Sequence, residues 1–174
     1  MRKYFFILFI SAIAIQTNAQ KFTDAVSYND FIISEQAKIG DEILEFNDMM
    51  SQASSTKEIL ELKLDTMVLV AKSALASVEH AGPFEDNTRF YNSIVALFGY
   101  YTEIMGTTYY TLLNLFFVPE YTTEVATEIE SIINEIVQQE ALYDNEFAEA
   151  QMEFAARYNF TLEANELQEK IDQE

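Results

Sequence analysis

The chain has 174 residues, with 10 Lys and Arg set against 29 Asp and Glu, one His, no Cys, four Gly and two Pro. A formal charge of -19 repels nucleic acid, and a hydrophobic fraction of 49% argues against disorder and for one packed domain. So few Gly and Pro cannot punctuate a many-stranded β fold, which leaves helices.

Residues 1–19 read as a secretory signal. Arg2 and Lys3 open it, a mostly apolar run from Tyr4 to Ile15 follows, and small and polar residues lead to a cut expected between Ala19 and Gln20. The run is short of the roughly 20 residues a membrane-spanning helix needs. Cleavage removes two positive charges and leaves the remainder, residues 20–174, at a formal -21. With no cysteine to form disulfides, packing alone must hold an exported domain together. Such a surface favours a neutral or cationic ligand or a protein partner, and disfavours an anionic membrane.

Helix breakers divide 20–174 into four long segments. The first runs from about Thr23 to Met50 and carries Val26, Ile32, Ile33, Ile39, Ile43 and Leu44 on a broad apolar arc. Asn29, Gln36 and Asn47 project near the middle of that arc, where a buried amide without a partner costs roughly 1–3 kcal/mol. The second segment is expected to begin at Ser55, with Glu58 completing a capping box, and to end near His80 before Gly82-Pro83. Leu60, Leu64, Met67, Ala71, Leu75 and Val78 share one of its faces.

Asp86 is the expected cap of the third segment, which continues to Val118 and has Glu103 as its single charge after Ile94. Its interrupting Thr residues and the lack of a basic flank point to a central bundle helix and away from a membrane span. Gly99 and Gly106 lie on one arc, which suits close approach of a neighbouring helix of the same chain, with self-association as the alternative. Thr122 or Thr123 caps the fourth segment, which reaches Tyr158. Val125, Ile129, Ile132, Ile136, Tyr143, Phe147, Phe154 and Tyr158 form its apolar face, and Glu140 falls in the middle of it. Beyond Tyr158 the apolar residues are sparse, as in a short docked helix or a tail.

The pattern therefore predicts an all-α protein, an up-and-down four-helix bundle with a short C-terminal helical extension or tail. The chemistry it excludes is broad. One His and no Cys cannot make a nucleophilic triad, a zinc site or a di-iron bundle, and no Gly-rich phosphate loop is present. No cofactor, metal or catalytic residue is assigned. His80, beside the Gly82-Pro83 stop, suits the negative end of its own helix. The polar residues of the interior are Asn29, Gln36, Glu140 and Gln151. They make either a network that fixes helix register or the polar contacts of a small-ligand pocket.

Tyr28-Asn29-Asp30-Phe31-Ile32-Ile33 with Gln36 and Ile39, Phe90-Tyr91, and Phe147 through Gln151 to Phe154-Ala155, followed by Tyr158-Asn159-Phe160, together form a pattern over the whole exported part. In it the chain resembles a family of exported helical proteins named after a leptospiral surface protein. The resemblance implies export, a helical bundle and a shared interior pattern that includes Asn29, Gln36 and Gln151; it implies no reaction. The leading expectation is a non-enzymatic interaction or structural module of the cell envelope, periplasmic, at the cell surface or released. The alternative is a small-ligand-binding protein with a polar site between its helices.

Overall fold

The computed structural model describes residues 22–162, so the expected signal, its Ala19–Gln20 cut and the end of the C-terminal extension lie outside the described residues. Five helical pieces follow in order: α1 (Ala25–Ser51), α2 (Lys57–Ala81), α3 (Thr88–Gly106), α4 (Thr108–Phe116) and α5 (Thr123–Tyr158). Since α3 and α4 run on as one rod interrupted at Thr107, the architecture is the up-and-down four-helix bundle that the breakers and periodicity predict.

Every start except that of α4 is fixed by a side-chain cap. Asp24 accepts from the Ser27 amide and Ser27 returns the favour in a capping box. At α2 the cap is Thr56, one residue later than expected, because Ser55 donates its hydroxyl to the Met49 carbonyl at 2.6 Å and ties off the end of α1 instead. Asn87, not Asp86, caps α3, and Asp86 pairs with Arg157. Thr122 caps α5 as expected. Gly82 ends α2 at φ 68, a conformation a side chain would strain. Asn159 ends α5 in the left-handed region, which Asn tolerates.

The third segment departs from the unbroken helix expected over 86–118. At Thr107 the backbone turns to φ -135, ψ -67. Gly106 has the low helix propensity of a residue without a side chain, and the Thr107 hydroxyl donates back to the Glu103 carbonyl at 2.8 Å, competing with the helix for its carbonyls. The close approach expected at Gly99 and Gly106 is also absent: a Cβ built at either position meets nothing within 4 Å, and the arc carrying Ala96, Glu103, Gly106 and Thr107 faces outward. Leu97, Phe98, Tyr101, Ile104 and Met105 on the other faces supply the central packing. No described helix is long and apolar enough to cross a membrane.

The core is densest where α1 begins and α5 ends. Phe154 sits with its ring 4.8 Å from Phe90 and Tyr158, and within 6 Å of Tyr28, Phe84 and Phe160. Tyr28 crosses this cluster to donate its hydroxyl to the Gly82 carbonyl at 3.0 Å, so the buried phenol is satisfied and α1 is tied to the end of α2. The α2 face predicted from spacing is the buried one, with Leu64, Met67, Ala71 and Val78 fully enclosed. On α1, Val26 is the exception to its arc, 43% exposed.

Candidate functional site

At the opposite end α1 and α5 part. They run antiparallel and meet through Tyr28–Phe154 and Asn29–Gln151, but between Gln36–Met50 of α1 and Ile133–Asp144 of α5 lies a cleft of about 650 Å³. Its walls follow helical spacing. On α1, Gln36, Ile39, Ile43, Asn47 and Met50 step along one face; on α5, Ile133, Ile136 or Val137, Glu140 and Asp144 do the same. The piece α4 adds Tyr109, Leu112, Leu113 and Phe116, and α3 adds Tyr101. Of the apolar face read from the sequence along the first half of α5, Ile129 is buried as expected, whereas Ile136 lines the cleft beside Ile133 and Val137. Ile133 and Val137 remain 41% and 58% exposed, whereas Phe147 and Phe154 farther along the same helix are buried.

Polar groups enter this apolar space at few points. The Tyr101 hydroxyl, from a buried residue of α3, donates to Oε1 of Glu140 at 2.9 Å. Burial and the neighbouring Glu140 carboxylate push the Tyr101 phenol far above its ordinary range, so it stays a donor at any physiological pH. Burial, again with Glu140, raises Tyr109 to about 12. Tyr100, stacked on Tyr143 at 4.8 Å, donates to the Ile136 carbonyl at 3.0 Å and steadies α5 behind Glu140. One turn on, Asp144 has its carboxyl raised to about 6, first by burial and then by repulsion from Glu140. Across the cleft, Oε1 of Gln36 is buried without a hydrogen-bond partner.

The four interior polar residues singled out from the sequence separate into two pairs. Asn29 and Gln151 bond to each other, Nε2 of Gln151 donating to Oδ1 of Asn29 at 2.8 Å, and neither lines the cleft. Their bond joins α5 to α1. Gln36 and Glu140 face the cleft from opposite walls. Asn47 also lies on the rim, exposed.

Sequence reasoning missed Asp144, Tyr101 and Tyr109. The signal for Asp144 was there, since Ile136, Glu140 and Asp144 repeat every fourth residue on one face. Nothing in the spacing sets the two tyrosines apart from the other core aromatics. It also missed buried Lys63 of α2, which binds Glu42 of α1 at 2.7 Å and Glu45 beside it, and buried Glu35, paired with Lys38 at 2.6 Å. Both are ion pairs outside the cleft lining.

Among the described residues no group of three or more acids or histidines is arranged to hold a metal ion. The arrangement offers an apolar trough, two carboxylates one turn apart, an unpaired amide oxygen and a phenol, and the described lining contains no Lys, Arg or His. Comparisons with protein-family models, with curated proteins and with solved structures found no match to this chain.

Proposed function

We propose that this protein is an exported small-ligand carrier or sensor that binds its ligand in the cleft between α1 and α5. The observation that carries the reading is the cleft itself: about 650 Å³, inside the range of roughly 300–1,000 Å³ typical of ligand pockets, with a few convergent polar groups on apolar walls. A bundle selected only for packing would close α5 onto α1 along its whole length, as it does around Phe154. Export is supported by Arg2, Lys3, the apolar run to Ile15 and the Ala19–Gln20 boundary, and by the resemblance to exported helical proteins. N-terminal sequencing of the protein recovered outside the cytoplasm tests that part; a first residue other than Gln20 removes its support.

Binding is tested with Nile red, a neutral apolar dye whose emission rises in dry surroundings. Saturable, stoichiometric enhancement is expected, and Ala141→Trp, which places a large ring at an exposed helix position on the cleft wall, should abolish it while circular dichroism stays unchanged. Enhancement indifferent to Ala141→Trp would overturn the reading.

A second reading, a protein-interaction module, draws on Ile59, Leu62 and Leu69, which sit on one outward stripe of α2, the two leucines each 67% exposed. Replacing both leucines by Gln would then disrupt association without touching dye binding.

A further inference from the structure

The cleft is one-sided in charge. Its charged groups are both acceptors, the carboxylates of Glu140 and Asp144, joined by the unpaired Oε1 of Gln36; its uncommitted donors are all neutral, the amide N–H groups of Gln36 and Asn47 and the Tyr109 hydroxyl. No cation in the described lining offsets the two acids. Two like charges one helical turn apart repel, and repulsion in a partly dry cleft is stronger than at an open surface. Cations outside the lining are engaged elsewhere: Lys63 with Glu42 and Glu45, Arg89 with Glu146, Glu149 and Glu153, and, at the far end of the bundle, Arg157 with Asp86. A ligand that supplies the missing positive charge and N–H donors converts this local repulsion into charge-assisted hydrogen bonds.

The apolar part is equally informative. Ile39, Ile43, Leu113, Phe116 and Ile136 make most of the remaining wall apolar, with Asn47 exposed at the rim, which suits a hydrocarbon body for the rest of the ligand. The overall charge of -19 draws cations toward the molecule and repels anionic amphiphiles such as fatty acids.

Resting on the reading of the cleft as a ligand site, we propose that its ligand is an amphiphilic amine. The protonated nitrogen lies between Glu140 and Asp144 with a further N–H to Gln36, and the apolar body extends along the trough between α1 and α5.

The test uses three chain-matched probes on the purified protein at neutral pH and physiological salt: dodecylamine, dodecanol and dodecanoic acid, each scored by displacement of Nile red. Dodecylamine is expected to bind at least about tenfold more tightly than dodecanol, and dodecanoic acid more weakly than both. Glu140→Gln with Asp144→Asn should erase the preference, the amine then binding no more tightly than dodecanol. The same change of charge at exposed Glu79 and Glu130, both to Gln, should leave the preference intact. If the double cleft variant does not fold by circular dichroism, Asp144→Asn alone is read, with a partial loss expected.

Equal binding of all three probes would overturn the amine and leave the apolar cleft standing, whereas no displacement by any of them, with no dye binding, would bring down both. A preference that survives the cleft variant or disappears with the surface variant would also overturn it, as would saturable binding of calcium ions that depends on the same two acids and excludes dodecylamine.

Discussion

Nε2 of Gln151 on α5 donates to Oδ1 of Asn29 on α1 at 2.8 Å, joining two helices that separate a few turns farther on. The pair lies where the chain is best packed, beside Tyr28 and Phe154, and marks the point from which the cleft opens. Removing either amide leaves the other with a buried unsatisfied group. Gln151→Ala or Asn29→Ala should each cost about 1–2 kcal/mol in urea unfolding, and the double variant should cost clearly less than the sum. Additive losses would mean the bond carries no coupling.

Gln36 makes the opposite case. Its Oε1 is already unsatisfied, so Gln36→Met removes a desolvation penalty at little change in volume. The unliganded variant should be as stable as the parent or more stable by about 1 kcal/mol, while its affinity for an amine falls. A loss of stability would show that the amide is a structural member of the core.

Gly99 sits in the middle of α3 facing open space, and its backbone gains nothing from lacking a side chain. Gly99→Ala should stabilise the protein by about 0.5–1 kcal/mol, read as a higher Tm. Were the glycine arc a contact between two copies, the same change would weaken association in analytical ultracentrifugation.

These variants also separate what the residue pattern could reveal from what it could not. Helical periodicity located the four rods because each has one side that must leave water, and it placed the α2 face that the fold buries. It could not say which apolar side meets another helix and which borders a cleft, since Ile129 and Ile136 recur at the same seven-residue step as Phe147 and Phe154, yet Ile136 borders the cleft. The caps at Ser55 and Asp86 were each one residue early because two adjacent residues could serve, and tertiary partners, the Met49 carbonyl and Arg157, chose between them. Glu140 was legible as a carboxylate on an apolar stripe. Its Tyr101 donor comes from a helix 39 positions away, and only the fold brings them together.

Asp144 gives the cleft a pH signature. Its carboxyl is raised from 3.8 to about 6, so between those values the folded chain holds a proton that the unfolded chain has released. Stability from this group is therefore greatest below the unfolded value, declines as pH rises through the window, and stays low above it. Solvent screening at the open side limits the effect to about 1 kcal/mol. The groups facing it are Glu140 on α5, Tyr100 and Tyr101 on α3, and Tyr109 on α4; α1 presents only the amides Gln36 and Asn47. Asp144→Asn should raise stability by about 1 kcal/mol at neutral pH and by nothing near pH 4, and amine affinity of the parent should fall as pH drops through about 6. A gain independent of pH would contradict this assignment.

The most direct measurement of the cleft as a binding site is a nitrogen-edited NMR titration of the protein with dodecylamine. The account predicts that the side-chain amides of Gln36 and Asn47 and the backbone amides of Ile39–Met50, Tyr109–Phe116 and Ile133–Asp144 shift together and saturate, while Leu62 and Leu69 on α2 and the Asn29–Gln151 amides stay in place. Shifts scattered over the acidic surface, or confined to α2, would contradict it.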